Sequence, residues 1–156
     1  MSVTASAFSM CAGWGFERYH EQLGYAAMLL AQDPTTRMAE LRILQDWIEP
    51  AIRHKQLIFA FNELKRPVGF VTWATLAPDV ERRLASDPLA RLHESEWDEG
   101  ERLWLMHFIA PFGDAPRMAR FLKAHFFGAH RSALTYRWKA RGVRVKIWQR
   151  GGEAAR

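Results

Sequence analysis

The run LWLMHFIAPFGD, Leu103 to Asp114, carries one histidine in an alternating apolar stretch that breaks into a Pro-Phe-Gly-Asp turn. A free imidazole has a pKa of about 6.5, so His107 is a candidate proton acceptor near neutral pH. A structural reading competes with it. Period-two spacing puts Leu103, Leu105, His107 and Ile109 on one side of a strand, where a histidine more often serves as a hydrogen-bonded core residue. The other histidines, His20, His54, His93, His125 and His130, show no pairing with a third ligand at metal-binding spacing, so no metal site is expected. The single cysteine, Cys11, excludes an intrachain disulfide, fits a reducing compartment, and reads as an inert small residue. Asp114 closes the turn before a helical pattern and is expected to cap that helix with its side chain.

These residues need elements to position them. A helix is expected over FERYHEQLGYAAMLLAQ, Phe16 to Gln32, ended by Asp33-Pro34-Thr35-Thr36 because a residue before proline avoids the helical region. A second helix is expected from about Arg37 to Lys55. Leu41, Leu44, Ile48 and Ile52 form its apolar face, and Pro50 should kink or end it. QLIFAFN and PVGFVTWAT flank the polar turn ELKR as a β-hairpin. PDVERRLA is a short helix with Pro78 in its first turn. HESEWDEGE is an acidic loop, RLWLMHFIA a third strand, and APRMARFLKAHFF a helix with Met118, Phe121, Leu122 and Phe126 on one face. SALTYRW and VRVKIW read as a final hairpin. The fold class is therefore α/β (α+β), a single domain with a mixed, mostly antiparallel sheet flanked by helices. Residues 1–15 are expected as a flexible leader, 16–152 as the domain and 153–156 as a tail.

At 156 residues, 49% apolar and 25% charged, the chain has the balance of a globular protein with one core. It shows no signal-like N-terminus and no apolar run long enough to cross a bilayer, so a cytoplasmic location is expected. The net charge of +5 is uneven: from Ala115 onward there are eleven basic residues against one acid, Glu153. A concentrated positive surface implies an acidic partner, with a merely solvated basic tail as the alternative. Nucleic acid is not expected, because no helix-turn-helix, zinc-finger or RNP pattern accompanies the charge. In the last hairpin, Arg137, Arg144 and Lys146 alternate with apolar positions, giving one basic face that either docks a partner or is simply solvated.

VGFVTWATL, then EWDEGERLWLMHFIAPFGD and MARFLKAHFF, closely resemble the RTX toxin-activating acyltransferases, the hemolysin-activating family that fatty-acylates internal lysines of protoxins. The specific signal is IAPFGD with the upstream spacing of Trp97, Gly100, Arg102 and Trp104. LGYAAMLLAQDP, IEPAI and VKIWQRGG extend the resemblance over nearly the whole chain. It implies a Gcn5-related N-acyltransferase-like fold and, as donor, acyl carrier protein bearing a fatty acyl thioester, with no bound cofactor. The implied acceptor is a lysine of a protoxin or similar partner, and related proteins are expected to dimerise. Arg137, Arg144 and Lys146 then become the expected carrier-docking residues. The turn FGDAPRMAR has one glycine, a proline and an acid. It lacks the amide-rich loop that holds a free pyrophosphate at a helix N-terminus, which favours the carrier over free coenzyme A.

The family's catalytic pair is a histidine after the first helix and an aspartate on the strand before IAPFGD. These positions fall on Thr36 and His107. Both have changed. A threonine is no base at neutral pH, so the resemblance implies His107 as base, with Thr36 orienting the ring or a water. The alternative is a catalytically degenerate relative that acts as a binding module for acyl carrier protein or a secreted repeat protein.

Overall fold

The computed structural model describes residues 7–126, 132–139 and 142–149; within the last two segments, side chains are described for 133–135 only. Six strands form one sheet in the spatial order of the chain: β1 (Ser9–Ala12), β2 (Leu57–Phe61), β3 (Pro67–Leu76), β4 (Arg102–Ile109), β5 (Ser132–Lys139) and β6 (Gly142–Gln149). Neighbours run antiparallel except β4 and β5, which are parallel. The mixed, mostly antiparallel sheet expected from the sequence is therefore present. Its helices are α1 (Tyr19–Gln32), α2 (Glu49–Arg53), α3 (Pro78–Ser86) and α4 (Ala115–His125).

Two apolar layers sandwich the sheet. On one face, Leu29 and Leu30 of α1, Ile52 of α2 and Leu84 of α3 pack on Phe59, Phe70, Trp104 and Met106. On the other face, Met118 and Leu122 of α4 pack on Ile58, Val71, Leu103 and Leu105. Gly69 makes the second contact tight: a Cβ there would lie 2.5 Å from the Met118 sulfur and 2.6 Å from the Ile109 carbonyl oxygen.

The N-terminal segment departs from the expected leader. Ser9–Ala12 pairs with β2, and Met10, opposite Ala60, is buried. A four-residue run with no marked alternation gives a strand only through its partner, so it carries no periodic signal of its own.

The second helix is also shorter than expected. Residues 37–41 are not helical, Leu41 is 83% exposed, and the helical path begins only at 42–43, passing at once into a π-helical turn at Leu44–Ile48 that runs into α2. Side chains compete with the helix at its expected start. Asp33 Oδ1 accepts the Thr35 amide at 2.9 Å, and the Thr36 hydroxyl donates to the Leu30 carbonyl at 2.8 Å. Pro50 explains the π turn. It brings no amide and crowds the carbonyl four residues back, and the widened turn, closed by the Glu49 amide on the Leu44 carbonyl, takes up that defect.

Candidate functional site

β4 is not the regular strand that its alternation suggests. Thr72 pairs with His107 but Trp73 pairs with Leu105, leaving Met106 as an extra residue, a β-bulge. A bulge breaks the two-residue period and re-aims the side chains beyond it. Leu103 and Leu105 share one side as expected, the side that faces α4, while Met106 and Ile109 belong to the layer on the α1 and α2 side. His107 joins them there: its ring meets Trp47 of the π turn edge-on, with centroids 5.9 Å apart at 68°. The sequence grouping of His107 with Leu103 and Leu105 is thus corrected.

The parallel ladder between β4 and β5 comprises Trp104 opposite Leu134 and Leu105 opposite Thr135, and it stops at the bulge. A cavity of about 1010 Å³ lies where it stops. That is the upper end of the size range for small-molecule sites. Met106, His107, Phe108, Ile109 and Thr135 form its sheet wall, Ile43 and Trp47 one flank, and Pro88 to Arg91 another. The segment Asp33 to Glu40 contributes Thr36 to the same cavity. The two positions singled out by the resemblance therefore share one groove.

Their hydrogen bonds differ from expectation. The hydroxyl that reaches the imidazole is that of Thr72, 3.0 Å from His107 Nδ1, whereas Thr36 spends its proton on Leu30. Thr72 is fully buried directly across the sheet from His107. Sequence reasoning missed it, although a polar residue inside the apolar run GFVTWATL is a visible signal. His107 is partly open to the groove but stripped of most of its hydration, and this desolvation lowers its pKa to about 4. The ring is therefore neutral at pH 7.

Charged groups stand at the rim. Asp46 accepts Arg91 Nη1 at 3.2 Å and forms an ion pair with Arg42 Nε at 3.3 Å, joining the flank at 88–91 to the π turn. Arg137, Arg144 and Lys146 lie on β5 and β6, with Arg137 opposite Arg144, but their side chains lie outside the described residues. The residues that carry the resemblance mostly hold β4 in place. Trp97 is fully buried, and a Cβ on Gly100 would sit 1.9 Å from the Leu76 carbonyl carbon. Glu81 of α3 accepts both Arg102 and the Trp104 indole at 3.0 Å. Asp114 occupies the N-cap position of α4 without a capping side-chain bond. It pairs instead with Arg117, which also pairs with Glu63.

The profile of the RTX toxin acyltransferase family matches residues 17–149. The chain belongs to that family. It is 35% identical over 104 residues to the RTX-III toxin-activating lysine-acyltransferase of Actinobacillus pleuropneumoniae, covering 67% of this chain and 59% of the relative. It is 29% identical over 106 residues to the protein-lysine myristoyltransferase of Escherichia coli, covering 68% and 60%. The chain thus spans about three-fifths of the length of these curated relatives. Among solved structures, the loading domain of CurA from Lyngbya majuscula, described as GNAT-like, superimposes with a TM-score of 0.55 at 13% identity. The match covers 83% of this chain and 64% of that one. The RTX toxin acyltransferase family member described here thus has the α+β fold of the Gcn5-related N-acyltransferases. Among its described residues, no helix is long and apolar enough to cross a membrane.

Proposed function

We propose that this chain is a protein-lysine fatty acyltransferase, taking the acyl group from an acyl carrier protein thioester and delivering it to a lysine of an RTX-type protoxin or similar partner. The observation that carries the reading is the convergence of Thr36, from the segment after α1, and His107, from the bulged strand, on one groove with a largely apolar wall. An apolar wall beside a hydrogen-bonding ring suits a fatty chain that ends in a reactive carbonyl. The acidic, proline-containing turn at α4 and the basic residues Arg137, Arg144 and Lys146 favour the carrier-bound donor. In this reading the carrier docks on the β5–β6 hairpin.

Moving a proton from a lysine ammonium of pKa about 10.4 to the His107 ring, held at about 4, costs about 9 kcal/mol. That weighs against the ring as the base that strips the incoming ammonium. It leaves His107 as a neutral group beside the reacting carbonyl.

The test is incubation of the full chain with acyl carrier protein charged with several chain lengths and a candidate protoxin, read by intact-mass spectrometry. One acyl addition per modified lysine is expected; no addition under any condition would overturn the enzymatic reading. The Thr36 hydroxyl, committed to Leu30, favours a second reading, a catalytically degenerate binding module. That reading expects no activity until the pair Thr36→His and His107→Asp is introduced together, and it fails if the unmodified protein is the more active.

A further inference from the structure

The two ring nitrogens of His107 have different surroundings. Nδ1 faces the Thr72 hydroxyl at 3.0 Å, and among the described residues this nitrogen is the hydrogen-bond partner of that hydroxyl. Thr72 is 0% exposed, so its proton has no water to turn to. A buried hydroxyl proton left without an acceptor is costly, and Nδ1 is the acceptor at hand. The hydroxyl therefore donates to Nδ1. A neutral imidazole carries one proton, which must then sit on Nε2. Nε2 has no partner among the described residues, and His107 lines the groove.

We infer that His107 acts as a neutral hydrogen-bond donor: its Nε2–H, fixed by the Thr72 hydroxyl on Nδ1, holds the thioester carbonyl oxygen and the oxyanion formed as the lysine attacks. The inference rests on the acyltransferase reading and assigns the chemistry of its site. Base catalysis through Nε2 needs the opposite tautomer, which would leave the Thr72 proton unsatisfied. Fixed N–H donors aimed at a developing oxyanion stabilise it strongly where water is excluded.

The step balances without a proton moving to the ring. The lysine ammonium first gives its proton to solvent water; the neutral nitrogen then bonds to the carbonyl carbon, and the carbonyl π pair moves to the oxygen held by Nε2–H. On collapse the carbon–sulfur bond breaks, the sulfur leaves with its pair, and the amine proton passes to it to give the free thiol and the amide. Thr72 touches no substrate and is a positioning residue.

The experiment compares the unmodified chain with His107→Gln, His107→Ala, Thr72→Val and Thr72→Ser. Kinetics with carrier-bound donor are read together with nitrogen-15 NMR of the histidine ring. Glutamine keeps an N–H donor but is no base, so His107→Gln should retain activity within about tenfold while His107→Ala loses about 10²–10³-fold in kcat. The unmodified ring should show a proton on Nε2. Thr72→Val should shift the tautomer and lower kcat with little change in KM, and Thr72→Ser should restore both. A proton on Nδ1 in the unmodified protein, or a glutamine variant as inactive as the alanine one, would overturn the inference. Absence of acyl transfer from the unmodified protein would end the functional reading, and the NMR spectrum would still decide the tautomer.

Discussion

At the scale of single residues, the desolvation of His107 should tie stability to pH. Its folded pKa is about 4 against the ordinary imidazole value of about 6.5, so between those values the unfolded chain binds the extra proton. Stability is fully present above pH 6.5 and is lost as pH falls toward 4, by at most about 3 kcal/mol because the ring keeps some contact with solvent. Urea denaturation at pH 7 and pH 4.5 should show this loss in the unmodified chain and a smaller one in His107→Gln; equal losses would mean that the ring is hydrated. His107 was legible in the sequence because it is the one polar side chain in an apolar run. Its partner was assigned to Thr36 by the resemblance, since chain distance says nothing about which hydroxyl lies across the sheet. The trio Arg137, Arg144 and Lys146, expected to dock the carrier, was legible as charge alone.

At the scale of elements, the bulge at Met106 and the π turn at Leu44–Ile48 shape the groove, and neither was legible. Leu103 to Met106 are all apolar, so no polar position marks where the alternation slips. Pro50 did signal a break, but not the widened turn that precedes it. That turn presents Trp47 to His107. Desolvation is the cause of the low pKa, so Trp47→Ala should let water reach the ring and raise its pKa by about one unit or more toward 6.5. NMR titration of the ring checks this. An unchanged value would assign the desolvation to the sheet wall alone.

At the scale of the whole molecule, the order of helices and strands was largely readable from periodicity, because α1, α3, α4 and the β2–β3 hairpin each carry their own pattern. The order of strands in the sheet, and the parallel junction of β4 with β5, arise from packing between distant segments and leave no local trace. The charge asymmetry belongs to this scale too. If the basic hairpin docks a carrier protein, reversing Arg137, Arg144 and Lys146 to glutamate should raise the KM for the carrier-bound donor about tenfold or more and leave kcat nearly unchanged. The effect should fade as salt rises. Kinetics across a salt series test it, and an unchanged KM would return the face to simple solvation.

Asp46 has a consequence for the width of the groove. One carboxylate ties Arg91, on a segment far along the chain, to the turn that carries Trp47. In the acyltransferase reading, this clasp stands at the entrance of the groove that would take the acyl chain. If the chain transfers acyl groups as proposed, Asp46→Asn, in which the clasp loses its charge, should accept longer or branched acyl chains than the unmodified protein does. A panel of charged carriers of graded chain length would show a broadened profile, whereas an unaltered profile would mean that the channel floor is the ruler.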